Sequence, residues 1–215
     1  MIRGYYKSYI FEVIRVLTFP NYFRIKWLSP ILNKNPLKLH LGSGNHYLPG
    51  WVNIEANPFK RKDCWLDLRN GLPFRDDSVK AIFSHSFFEH LDLEDLDFLL
   101  KECKRVLKMG GIMRIGVPSF EKGWEACQKG DWSAFSIHSR TISRTFINWI
   151  LGYCQHKLMF TFESLKETLE DCGFSRIVEC AFEDSPYLNE EDLKMTHKGS
   201  YKTLTLWVEC LKKDS

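Results

Sequence analysis

Two short apolar runs joined through a glycine turn restrict this chain to few folds. Residues 39–44 read Leu-His-Leu-Gly-Ser-Gly, and eleven residues past the last of them Glu55 closes a second run, Trp51-Val52-Asn53-Ile54. Glycine lacks a Cβ and tolerates unusual φ, so a strand that enters Gly42-Ser43-Gly44 lets a ligand approach bare backbone. An acid at the tip of the next parallel strand is placed to accept hydrogen bonds from the 2′- and 3′-hydroxyls of a ribose. The pair describes a nucleoside site at the carboxyl edge of an α/β sheet. A dinucleotide fingerprint needs G-x-G-x-x-G, with its acid about 20 residues further on. Here Tyr47 occupies the third glycine position and the acid arrives early, which disfavours a nicotinamide or flavin cofactor.

Periodicity extends the same architecture along the chain. Apolar segments at 37–41, 51–55, 62–66, 79–84 and 111–117 predict parallel strands, apolar on both faces where they are covered. Leu93 to Leu107 is helical by period, because Leu96, Leu99, Leu100, Cys103, Val106 and Leu107 fall on one stripe. Acids at its start and bases at its end complement the helix dipole, and Gly110-Gly111 turns the chain into the next strand. Residues 119–155 carry Trp124, Trp132, Phe135, Phe146 and Trp149 and read as a helical cap over the mouth of the site. Those aromatics are read first as the cap's own core and second as a surface for stacking a sugar or base. Thr161 is the expected N-cap of a helix at 162–172 that Gly173 closes. Residues 174–182 and 201–210 predict the last two strands, with a polar loop at 183–200 between them.

Composition narrows the setting. A chain of 215 residues is expected to form one domain with a substantial core. It has no run of about 18 apolar residues to cross a membrane, and its first residues lack the short apolar block of a secretory signal. Seven cysteines, an odd number without C-x-x-C spacing, point to a reducing cytoplasm rather than to disulfides or a zinc site. Asp76-Asp77-Ser78 reads as a surface turn, and no metal is expected. Residues 1–38 hold seven basic groups against one acid, Glu12, interleaved with aromatics. The 1–36 extension is read as a helix and loop packing over the sheet edge. Peripheral contact with an anionic membrane, or with nucleic acid, is the second reading.

The ordered set of short motifs resembles class I S-adenosylmethionine-dependent methyltransferases. It is closest to a small bacterial methyltransferase-domain group with the pattern LGSG…PGW-N-(D/E)…EHL…RVLK-GG. The matching residues are Leu41-Gly42-Ser43-Gly44, Pro49-Gly50-Trp51-Val52-Asn53-Ile54-Glu55, Asp67-Leu68, Leu72-Pro73-Phe74 and Asp76-Asp77-Ser78. They continue through Glu89-His90-Leu91, Glu102 to Lys108, Gly110-Gly111 and Val117-Pro118. The resemblance spans Leu37 to Pro118. It implies a Rossmann-like, doubly wound, mostly parallel seven-stranded sheet with an antiparallel last strand and a helical cap insertion. The methyltransferase domain would be 37–215, with S-adenosylmethionine as cofactor. Gly42, Ser43 and Gly44 would lie under its methionine part, Glu55 would bind the ribose, Asp67 and Leu68 would meet the adenine, and Ser84 and His85 would floor the sulfonium. Two positions depart from the pattern: His40 replaces the acid two residues before the first glycine, and His46 replaces the third loop glycine.

Methyl transfer to oxygen needs a group that removes the acceptor's proton, and histidine suits that task near neutral pH. His156, where the insertion returns to the core, and His85, at the fourth strand's tip, are the candidate catalytic residues. Glu89-His90 is expected to open the following helix, with the carboxylate near its N-terminus. His138 lies within the insertion, where it could touch substrate. The reading is a cytoplasmic methyltransferase acting on a hydroxyl of a small-molecule or glycan-type acceptor. The alternatives are an RNA or protein methyltransferase, and a non-catalytic interaction subunit of the same fold.

Overall fold

The computed structural model describes residues 2–32, 37–152, 156–197 and 203–213. Its centre is a sheet of β1 (Leu37–Leu41), β2 (Val52–Glu55), β3 (Cys64–Trp65), β4 (Val79–His85), β5 (Leu107–Pro118), β6 (Phe174–Cys180) and β7 (Thr205–Lys212). The strands lie in the order β3-β2-β1-β4-β5-β7-β6. Every neighbouring pair is parallel except those made by β7, which runs antiparallel to both β5 and β6. This is the expected Rossmann-like sheet, and its last strand is the reversed one. The segment expected at 62–66 is paired only over two residues. β5 begins earlier than expected because Val79 pairs with Leu107 and Ala81 with Ile112, so residues 108–111 bulge out of the ladder at the two glycines.

Helix α2 (Leu93–Val106) buries Leu96, Leu99, Leu100, Cys103 and Val106, the stripe its period predicts. They pack with Leu39, Leu41, Ile54, Ile82, Ile115 and Val208 on one face of the sheet. Helix α5 (Phe162–Asp171) joins that layer. Thr161 Oγ1 accepts from Ser164 N at 3.1 Å, and Ser164 Oγ accepts from Thr161 N at 3.0 Å, a reciprocal cap on the predicted residue. On the opposite face Trp51, Phe83 and Trp207 are covered by Leu48, Phe182, Leu188 and Met195. Loops do the work of a crossover helix there, since residues 42–51 join two parallel strands without one. The polar stretch at 183–200 is not all loop: α6 (Glu190–His197) sits within it. Asn189 Oδ1 accepts from Asp192 N at 2.9 Å at its start, and Lys38 of β1 binds Asp192 at 2.5 Å. Eight residues bounded by polar neighbours leave too few apolar positions for periodicity to reveal a helix.

Beneath this second face lies an ion pair the motifs do not announce. Arg114 of β5 and Glu209 of β7 are register partners, both fully buried, with Nη1 and Oε1 2.5 Å apart. Arg114 also donates to the carbonyls of Ala181, Phe182 and Asp184, and Ser185 Oγ donates to Glu209 Oε2. The pair therefore ties residues 181–185 to the sheet.

Helix α1 (Ile2–Leu32) runs without a break through Pro20 and Pro30, longer than the helix and loop expected. It packs on the β3 edge as anticipated. Ile14 and Thr18 are buried, and Tyr22 and Ile25 press on the core. Asn21 Nδ2 donates to Trp65 O at 3.1 Å. Its outer face leaves Tyr9, Val16, Phe23 and Trp27 exposed, Trp27 by 80%. Among the described residues, no helix is long and apolar enough to cross a membrane.

Residues 119–152 are helical as expected, with α3 (Phe120–Lys129), α4 (Ile142–Ile147) and a π-helical turn at Asn148–Gly152. Phe135, Phe146 and Trp149 bury one another together with Ala126 and Cys127, so the insertion's aromatics are largely its own core. The rest of the expected insertion, 153–155, lies outside the described residues. Among the described residues six cysteines are free thiols, five of them buried and Cys180 partly so. Burial pushes the thiols of Cys172 and Cys180 up to about 11 and that of Cys64 to about 12.

Candidate active site

The β1–β2 turn is shaped by backbone geometry that only glycine adopts without strain. Gly42 and Gly44 have φ of +63° and +51°. A Cβ built on Gly42 would stand 2.5 Å from the Phe87 ring, so the residues after β4 lie directly against the turn. Ser43 N donates to Ile54 O at 3.0 Å, and His46 N to Ser43 O at 2.8 Å. The Ser43 hydroxyl is buried with no hydrogen-bond partner. Glu55, half-buried at the end of β2, accepts from Gly44 N at 2.7 Å through Oε2 and from Asn57 N at 2.8 Å through Oε1. Ser84, one residue before the end of β4 and paired with Leu41, is fully buried, and its hydroxyl donates to Leu41 O at 3.4 Å. The fold thus brings Gly42, Ser43, Gly44, Glu55 and Ser84 to one sheet edge. An orphaned hydroxyl, open space at Gly44 and a carboxylate with open lone pairs fit the cofactor the sequence implies.

Asp67 and Leu68 are placed differently from the expectation. Leu68 is a core residue. The Asp67 carboxylate accepts from Arg69 N, Nε and Nη2 at 2.8 to 3.3 Å and is nearly buried. Arg69 in turn holds α1 through Glu12 and the Phe11 carbonyl, while Thr18 Oγ1 accepts from Asp67 N. Asp67 is therefore a hinge between the end of β3 and α1. Acceptance from an adenine amine requires Arg69 to share its partner.

The histidines divide by environment. His40 is buried, and its Nδ1–H donates to Asn53 Oδ1 at 3.1 Å; the tautomer follows because the Asn53 amide nitrogen already donates to Leu48 O, Trp51 O and Asp63. Burial lowers its pKa to about 4. His85 stacks on Trp207 with centroids 5.0 Å apart, and burial takes it to about 3. It packs the floor of the edge and is a poor base at neutral pH. His138 bonds the carbonyls of Trp132 and Phe135 and pins its own loop.

His40 makes stability depend on acid. In the unfolded chain it protonates near 6.5, and in the fold only near 4, so the folded state binds fewer protons between those values. No penalty exists above pH 6.5; it grows as pH falls and reaches about 3 kcal/mol near pH 4. Urea unfolding at a series of pH values should show this decline. The His40→Asn variant should have a visibly shallower slope between pH 6.5 and 4, and equal slopes would discard the assignment.

Beside the glycine turn the chain carries a cluster that sequence reasoning read differently. Glu89 does not open a helix: it lies in a 3-10 turn at Phe88–His90, and α2 begins only at Leu93. Its side chain is wholly buried, and neither carboxylate oxygen has a hydrogen-bond partner. Burial raises its pKa to about 8. Lys157 N and Leu158 N both donate to the Glu89 carbonyl, at 2.8 and 3.1 Å, which straps His156 against this turn. His156 Nδ1 is buried without a partner, and burial together with His90 lowers its pKa to about 4. An imidazole so depressed is a weak general base near neutrality. The His90 and His156 rings are 5.3 Å apart, and Trp149 of the insertion meets His156 edge-on at 6.2 Å. The signal for this grouping was present in Glu89-His90, but its burial depends on a segment more than sixty residues away.

Comparison with known proteins bears on the fold. Residues 60–115 match the sequence model of the methyltransferase domain family. None of the curated proteins matches the sequence. Among solved structures, an S-adenosylmethionine-dependent methyltransferase from Archaeoglobus fulgidus superposes with a TM-score of 0.53 at 17% identity, over 89% of this chain and 92% of that one. A Haloferax volcanii methyltransferase solved with the Trm112 methyltransferase activator gives 0.52 at 16%, over 88% and 91%. Phosphoethanolamine N-methyltransferase 2 of Haemonchus contortus, bound to phosphomonomethylethanolamine and S-adenosylhomocysteine, gives 0.50 at 14%, over 89% of this chain and 53% of that one. At these identities the likeness establishes the fold.

Proposed function

We propose that this chain, a class I S-adenosylmethionine-dependent methyltransferase, methylates a hydroxyl of a small-molecule or glycan-type acceptor. The cofactor supplies a methyl group already activated by its sulfonium, so the protein's task is to position the acceptor and manage one proton. Gly44 leaves room for the cofactor's backbone-facing side, while Gly42 makes space for the Phe87 ring beneath it, with the Ser43 hydroxyl as a waiting polar partner. Glu55 accepts from the ribose diol with the lone pairs that Gly44 and Asn57 leave open. Ser84 and His85 form the floor at the tip of β4.

The observation that favours oxygen as the acceptor atom is the cluster of Glu89, wholly buried, His156, partly buried, and His90, exposed, which begins two residues after Phe87, itself lying on the glycine turn. An acceptor nitrogen or thiolate needs little help with its proton, whereas a hydroxyl needs a group close by. Calorimetric titration with S-adenosylhomocysteine is expected to give one site per chain with micromolar affinity. A folded protein that does not bind it overturns the proposal. Radiolabelled methyl transfer then separates acceptors: label is expected in hydroxylated small molecules or sugars, and label confined to RNA or protein would replace the acceptor class.

A further inference from the structure

We propose that Glu89, His90 and His156 form a site for a divalent first-row transition-metal ion that holds the acceptor's oxygen, against the sequence expectation of no metal. The metal site stands on its own geometry; its role toward the acceptor rests on the methyltransferase reading. One ligand atom from each of the three residues lies within 4.8 Å of the other two. Metal–ligand bonds of about 2.1 Å place such atoms about 3 to 3.5 Å apart, so side-chain rotations that draw them in by about 1 to 1.5 Å complete the geometry.

Three further observations point to a ligand here. First, Glu89 is a wholly buried carboxylate with both oxygens unpartnered, an arrangement that costs free energy unless something occupies it. Second, the orphaned His156 Nδ1 belongs to the same group, so two of the three donors are buried and unsatisfied toward a common centre. Third, the segment is braced: two backbone amides of 157–158 on the Glu89 carbonyl, and Lys157 Nζ on Asp92 at 2.7 Å, fix His156 to the turn that carries the other two donors. His90 is exposed and gives an entry path from solvent.

Two imidazoles with one carboxylate select ions such as Zn²⁺, Mn²⁺, Co²⁺ or Fe²⁺ over Mg²⁺, which prefers all-oxygen shells. Three protein ligands leave coordination positions open, as in catalytic rather than structural centres. Phe87, two residues before Glu89, lies against Gly42 of the glycine turn. An acceptor hydroxyl coordinated at an open position would lose its proton more readily, a role that His156 alone fills poorly.

Full-length protein stripped with a chelator tests this. Titration with Zn²⁺ and with Mn²⁺ is expected to show one saturable site of micromolar affinity or tighter, and Co²⁺ to give visible absorption bands of nitrogen and oxygen coordination. His90→Ala, at an exposed position that the fold does not depend on, should weaken binding at least tenfold, and Glu89→Gln or His156→Ala by more. S-adenosylhomocysteine affinity should change by less than about twofold in His90→Ala. Absence of a saturable site, or affinity unchanged in both His90→Ala and His156→Ala, overturns the proposal. Metal binding without S-adenosylhomocysteine binding leaves the metal site standing and removes the methyltransferase reading; the reverse result does the opposite.

Discussion

Arg114→Met is expected to lower the stability of the fold by about 3 to 5 kcal/mol, the largest loss from any single side chain considered. The substitution leaves Glu209 charged and fully buried between two strands, with only Ser185 Oγ as a side-chain partner. It also strands the carbonyls of Ala181, Phe182 and Asp184, each of which accepts from the guanidinium. In a chain of this size, 1 kcal/mol moves the melting temperature by roughly 2 to 4 °C. A drop of about 6 to 20 °C should therefore appear in thermal unfolding. The double variant Arg114→Met/Glu209→Leu removes the lone charge and is expected to recover part of the loss, because an apolar pair replaces an ion pair at modest cost. Recovery stays incomplete while the three carbonyls lack a donor. A single variant that loses less than about 1 kcal/mol would mean that water reaches Glu209 and that the pair is not sealed.

Glu55→Ala is expected to weaken S-adenosylhomocysteine binding by 100-fold or more while leaving the fold intact. The carboxylate does two jobs. It bridges the two turns that frame the cofactor, through Gly44 N and Asn57 N, and it offers its remaining lone pairs to the ribose diol. Hydrogen bonds to a charged group contribute about 1.5 to 3 kcal/mol each, and every 1.4 kcal/mol is tenfold in affinity. Losing a diol contact together with the bridge that orients Gly44 therefore carries at least two orders of magnitude. Glu55→Gln keeps the shape but turns one acceptor into a donor, so its affinity should fall between the two. Calorimetry on the three proteins, with circular dichroism to confirm folding, decides the matter. Equal affinities would move the ribose away from Glu55.

The parts of this fold that were legible in the sequence are those set by neighbours along the chain. The stripe of α2, the Thr161 cap and the glycine turn into Glu55 all depend on residues within a dozen positions of each other. What was hidden depends on strand order. Arg114 and Glu209 are 95 residues apart and become partners only because β7 inserts between β5 and β6. Glu89 looks like an ordinary acid near a helix start until residues 156–158 fold over it. Asp67 matched the motif by type and place, yet its sequence neighbour Arg69 claims the carboxylate, and which side chain wins such a contest depends on α1 packing from above. The length of α1 was illegible for another reason: proline opposes helix in its interior, and burial of Ile14, Thr18 and the residues below them outweighs that local cost.

The closed-in thiols turn the protein into its own timer. Cys64, Cys103, Cys172 and Cys210 sit in the main core, on strands and helices of the sheet and its covering layer, and Cys127 in the core of the insertion, all shut from solvent. A thiolate must form and be reached before an alkylating reagent can capture it. Each cysteine is thus labelled only as often as its surroundings open, and the order in which Cys127 and the four core cysteines acquire the label ranks the insertion against the main core.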